Sequence, residues 1–171
     1  MNNFNLLIST SRYNETNAKA ELWFILLMCG DNYPIISRLT HSGLISALTT
    51  LDSKDIIKKI KKIIERDPYF FQFILKIVPI DFVCETSTKL IVNLIKKHYK
   101  NFITDEDTYK IVLNRRKHEG IERNHLIEQI ANILKNKVML ENPDKIIRIE
   151  ILGKFSGISF IKQNEIIKKK N

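Results

Sequence analysis

The stretch from Thr108 to Phe160, TYKIVLNRRKHEGIERNHLIEQIANILKNKVMLENPDKIIRIEILGKFSGISF, decides the fold of the second half of this chain. It reads as a strand, a basic loop, an amphipathic helix and two further strands. Tyr109, Ile111 and Leu113 alternate with Lys110, Val112 and Asn114, which gives the strand one apolar and one mixed face. Leu126, Ile127, Ile130, Ile133 and Leu134 recur at helical spacing after Asn124, the expected N-cap, so this helix can cover the apolar face. Pro143 blocks helix continuation, and a second alternation follows at Ile147, Ile149 and Ile151. Gly153 and Gly157 flank Lys154-Phe155-Ser156, and a return strand is expected from Ile158 to Lys162. The unit is a small α+β sheet.

The basic residues fall where this fold can use them. Arg115, Arg116, Lys117 and His118 end the first strand just before the helix, with Arg123 and Asn124 at its start. Guanidinium forks bind phosphate bidentately and helix N-terminal amides favour anions, so the loop from Arg115 to Asn124 is the candidate phosphate site. Lys145, Arg148, Lys154 and Lys162 lie on neighbouring strands or their ends and are expected to extend the patch. Phe155 could stack on an unpaired base, or equally plug the core.

Three pieces of this stretch, in order, resemble the THUMP domain of transfer RNA modification proteins: the strand ending in Arg115-Arg116-Lys117-His118, the run VMLENPD from Val138 to Asp144, and RIEILGKFSGISF from Arg148 to Phe160. The resemblance implies that the domain grips the single-stranded 3′ CCA end of transfer RNA while another domain or protein supplies the chemistry. It further implies a ferredoxin-like domain ahead of THUMP. The chain stops soon after the THUMP-like stretch and contains neither a methyltransferase fold nor a nucleotide loop of the kind used in thiolation. It is therefore similar to the stand-alone THUMP proteins that act as adaptors for the RNA cytidine acetyltransferase making 4-acetylcytidine. A recognition subunit of a thiolation or methylation enzyme is the alternative.

The first half fits that implication. Strands are expected at Phe4–Thr10, Tyr33–Thr40, Gly43–Thr50 and Phe71–Asp81, with helices from Asn17 to Cys29 and after the acidic pair Asp52 and Asp55, which gives the order βαββαβ of a ferredoxin-like domain. The first helix is nearly apolar all round in its second half, and Trp23 is assigned to the core. The expected domains are 1–83, ferredoxin-like, and 84–171, THUMP. The next helix, capped by Thr86 or Ser87, should bury Leu90, Ile91, Leu94 and Ile95. Lys168-Lys169-Lys170 is taken as a loose basic tail.

Composition agrees with a polyanionic partner. The 171 residues carry 28 Lys and Arg against 19 Asp and Glu, a formal net charge of +9, and 44% hydrophobic residues are enough for a true core. Cys29 and Cys84 are the only cysteines and form no metal-binding or disulfide framework. No nucleotide loop, zincin motif or nucleophile elbow is present. His118-Glu119 as an acid–base pair is the one catalytic rival, and a general structural protein meeting ribosomal RNA is another. The longest apolar run, Leu22 to Cys29, is too short to span a membrane. The expectation is a cytoplasmic, non-catalytic protein that needs no cofactor or metal.

Overall fold

The computed structural model describes residues 3–116 and 120–169. In chain order its elements are β1 (Leu6–Thr10), α1 (Glu15–Met28), β2 (Ile35–Arg38), β3 (Leu44–Leu48), α2 (Ser53–Arg66), β4 (Ile74–Pro79), β5 (Phe82–Glu85), α3 (Thr88–His98), β6 (Tyr109–Arg116), α4 (Arg123–Ala131), β7 (Lys145–Leu152), β8 (Phe155–Ile161) and β9 (Ile167–Lys168). They form two compact units, one running to Ile80 and taking in residues 164–169, the other spanning Asp81–Gln163.

The first unit has the expected βαββαβ order, on a sheet of strand order β2-β3-β1-β4-β9 in which every pairing is antiparallel. Ile8, Leu22, Ile25, Ile45, Ile56, Ile60 and Ile77 are fully buried between the sheet and the two helices. Asp52 caps α2, accepting from the amides of Lys54 at 2.9 Å and Asp55 at 3.0 Å, so the acidic pair signals the helix start as anticipated. The turn between β2 and β3 requires Gly43: φ is +78°, and a Cβ there would lie 2.9 Å from the Thr10 carbonyl oxygen. The Glu21 carboxylate accepts from the amides of Gln72, Phe73 and Ile74 and so fixes the entry to β4.

Two expectations for this unit are corrected. Trp23 is 50% exposed, and Phe24 and Met28 are similarly open. The stripe that packs on the sheet is Ala18, Leu22, Ile25 and Leu26, and the remaining apolar residues of α1 face outward. The C-terminal segment is not a loose tail over its described part. Ile167 is 4% exposed in the first core, β9 pairs with β4 (Ile77 with Ile167, Lys76 with Lys168), and the Lys169 amide donates to the Leu75 carbonyl.

The second unit is a sheet of order β5-β8-β7-β6, with β6 and β7 parallel and the other pairs antiparallel. Ile91 and Ile95 of α3 and Leu126 and Ile130 of α4 pack with Leu113, Ile147, Ile149, Ile158 and Phe160. Phe102 stacks on Phe160 at 4.8 Å and Phe82 meets both edge-on. Leu90, expected to be buried, is 43% exposed, whereas Ile91 and Ile95 take the innermost positions of α3 with Val92 and Leu94 packed partly beside them. Strand β5 has no counterpart in the sequence reading, which ended the first domain at Val83. The units divide instead between Ile80 and Asp81, because Phe82–Glu85 pairs with β8.

Candidate nucleic-acid interface

Parallel pairing brings the C-terminal ends of β6 and β7 to one edge of the sheet, where Arg115 stands opposite Ile151 and Arg116 opposite Leu152. There β7 turns into β8 through Gly153 and Lys154. Leu152 and Phe155 form the closing pair, and Gly153 at φ +73° supplies the left-handed residue a two-residue hairpin needs. Glu85, at the end of β5, pairs with Phe155 at the same edge. The Thr86 amide donates to the Lys154 carbonyl at 2.8 Å, and the Thr86 and Ser156 hydroxyls meet at 2.8 Å. Glu85, Thr86, Gly153, Lys154 and Phe155 line an open groove of roughly 580 Å³. Arg116 and Phe155 are two strands apart, about 10 Å at ordinary strand spacing.

The start of α4 is tied to this edge. The Arg115 guanidinium donates to the Ile121 carbonyl at 3.1 Å, and that of Arg123 to the Leu113 carbonyl at 3.0 Å. Both side chains therefore use part of their five-donor fork on the fold and present the rest outward. Arg116, Arg123, Asn124 and Lys154 are exposed.

The helix terminus itself corrects the expected chemistry. Asn124 is not the N-cap. Glu122 is, and its carboxylate accepts from the amides of His125 at 2.5 Å and Asn124 at 2.9 Å. Those two bonds, with the nearby His125 and Arg115 side chains, hold the Glu122 carboxyl below the usual carboxylate range. The amides that would have welcomed a phosphate already serve a carboxylate, so anion binding at this edge falls to the cationic side chains. Glutamate is an uncommon cap, which is why the sequence pointed two residues too far.

The other predicted residues are dispersed. Lys145 starts β7 and Lys162 follows β8, both at the opposite end of the sheet, about 23 Å away along an eight-residue strand. Arg148 lies between the ends and is 9% exposed; its guanidinium pairs with Glu150 at 2.6 and 2.7 Å, and Asn114 donates to the same carboxylate oxygen at 3.0 Å. Its charge is neutralised inside the sheet and adds nothing to a basic surface. Lys117 and His118, together with Glu119, lie outside the described residues. The sequence reading overlooked Glu122 and Glu85, the latter at the end of the unrecognised β5, and gave Thr86, just after that strand, only a possible helix-capping role.

Neither thiol is primed for chemistry: burial pushes Cys29 up despite Lys59 nearby, and raises Cys84 with help from Glu85. Among the described residues no cluster of His, Cys, Asp or Glu could hold a metal ion, and no helix is long and apolar enough to cross a membrane.

Comparison with known proteins bears on the same segment. Residues 85–160 match the family model of the THUMP domain. A Drosophila melanogaster protein, THUMP domain-containing protein 1 homolog, is 30% identical over 96 residues, which cover 53% of this chain and 30% of that protein. The chain thus spans under a third of that relative's length. Among solved structures, PH1313 from Pyrococcus horikoshii Ot3 superposes with a TM-score of 0.66 at 17% identity, covering 97% of this chain and 55% of the other. A 4-thiouridine synthetase solved with RNA and ATP gives 0.57 at 10% identity, with 97% and 42% covered. TrmN from Thermus thermophilus gives 0.58 at 9% identity, with 91% and 44% covered. At these identities the superpositions speak for the fold.

Proposed function

Residues 85–160 are a THUMP domain, and from that premise we propose that the chain binds transfer RNA at its 3′ CCA end and presents it to a separate modifying enzyme. The observation that carries this reading is the sheet edge where Arg115, Arg116 and Arg123 stand near the Lys154–Phe155 groove, within the THUMP segment. Guanidinium and ammonium groups supply phosphate contacts, and a half-buried aromatic beside an open groove supplies a stacking platform for an unpaired base. The edge combines cationic side chains with an open groove that holds an aromatic ring, a pairing suited to an RNA terminus.

The protein's own work in this account is positioning. Holding the acceptor end of a rigid RNA sets the distance at which a partner enzyme meets one nucleotide, so the enzyme gains proximity without having to grip the terminus itself. We assign no catalysis to this chain, and read its first unit, whose strands run β2-β3-β1-β4, as the ferredoxin-like part of the arrangement. The partner proposed is the RNA cytidine acetyltransferase, with 4-acetylcytidine as the product. A second reading, a recognition subunit for thiolation or methylation, is favoured by the fold shared along nearly the whole chain with a 4-thiouridine synthetase and with TrmN.

The test pairs binding with nucleoside analysis. The variant Arg116→Ala with Lys154→Ala should keep its melting temperature yet bind intact transfer RNA at least tenfold more weakly. Transfer RNA from cells lacking the protein should lose 4-acetylcytidine. Loss of a thiolated or methylated nucleoside instead would support the second reading. Unchanged affinity in the folded variant would contradict the site.

A further inference from the structure

A large share of this chain's positive charge lies on a helix that the proposed RNA site does not use. Helix α2 carries Lys54, Lys58, Lys59, Lys61, Lys62 and Arg66 against Asp55 and Glu65, so its 14 residues hold +4 of the net +9. Ile56, Ile57 and Ile60 are buried, which turns the basic residues to the outer side. Lys54, Lys58, Lys62 and Arg66 follow one another at four-residue steps, a row of cations about 6 Å apart along the helix. Lys58 pairs with Asp55 at 2.8 Å and lies near Asp52 and Glu165, Lys62 and Arg66 are exposed, and Lys59, off the row, donates to the Cys29 carbonyl.

The C-terminal strand adds to the same surface. Pairing of β9 with β4 brings Lys168 beside α2, where Lys61, Ile64, Glu65, Ile166, Ile167 and Lys168 line one groove. Burial of Ile167 anchors the strand, and the Lys169 ammonium donates to the Gln72 carbonyl at 2.9 Å. No aromatic side chain stands on the outer side of α2, so the surface has the means to meet phosphates and none to read bases by stacking.

We propose that the outer side of α2, with Lys168 of β9, is a second RNA contact that binds the phosphate backbone without regard to sequence. The inference rests on the RNA-binding reading above and extends it to the first unit, outside the THUMP segment. Each lysine placed on a phosphate releases condensed counterions, so the surface should reveal itself in the salt dependence of binding, by about 0.7–0.9 per contact in the slope of log K against log salt.

The experiment uses the full chain, intact transfer RNA and the same RNA lacking its 3′ CCA, over a salt series. The variant Lys61→Gln, Lys62→Gln, Lys168→Gln should reduce the slope by about two for both RNAs and leave the ratio of their affinities unchanged. Arginine at the same three positions should restore the slope. A variant losing three charges elsewhere, Lys19→Gln, Lys89→Gln, Lys97→Gln, should keep it. Wild-type slope in the folded first variant would overturn the proposal and return α2 to a solvated face or a dock for an acidic protein. Failure of the acceptor-end reading looks different: the two RNAs would bind wild-type protein equally, whatever the slope of the variants.

Discussion

Glu122 shows how one side chain redirects the chemistry of a site. Its carboxylate occupies the first free amides of α4, and its depressed pKa makes that cap pH-dependent. The cap contributes fully above the unfolded carboxyl's pKa of about 4.3 and is lost as pH falls through the lower folded value. Glu122→Ala should therefore lower the melting temperature at neutral pH, with the difference from wild type closing under acid; a gap independent of pH would rule out the cap. Arg123, exposed but bonded to the Leu113 carbonyl, should cost about 0.5–1 kcal/mol when replaced by Met, measured by urea unfolding. Trp23, the sole tryptophan, should emit like an indole in water and be readily quenched by acrylamide. A blue-shifted, protected emission would contradict the outward face of α1. The basic residues of this edge were legible because Arg-Arg ends a strand before a helix. The cap was not, since an acid at that position is a weak signal and its hydrogen bonds are a matter of geometry.

At the scale of elements, the strand β7 is the instructive case. Alternation of Ile147, Ile149 and Ile151 with Arg148 and Glu150 reads as a half-buried strand, yet both faces are buried and the charged pair sits in the sheet. Periodicity reports which residues share a face and is silent on whether a charged face is covered. Arg148→Met alone leaves the Glu150 carboxylate buried without its cationic partner, Asn114 still donating to it, and should cost about 3–5 kcal/mol, whereas Arg148→Met with Glu150→Leu should come close to wild type. Equal losses in the single and double variants would show that the pair is not coupled. The main helices and long strands were readable from apolar stripes and from breakers such as Pro143. The short strands β5 and β9 were not, because four and two residues carry no period and their partners lie far along the chain. Ile167→Ala, removing a side chain that closes the first core, should destabilise by about 2–4 kcal/mol. A loss within 0.5 kcal/mol would mean the C-terminal strand is dispensable.

For the molecule as a whole, two units carry two kinds of positive charge: a small edge in the THUMP domain, arginine-rich and beside a groove, and a lysine row on helix α2. The first can be selective for a terminus and the second can only be attractive, so affinity and discrimination should respond to different substitutions. The central claim is acceptor-end recognition, and the direct measurement is binding of the purified chain to intact transfer RNA and to the same RNA without its 3′ CCA, at several salt concentrations. The account predicts that truncation weakens binding markedly at every salt concentration. Equal affinity for the two RNAs, falling steeply with salt, would leave a basic surface alone and contradict it.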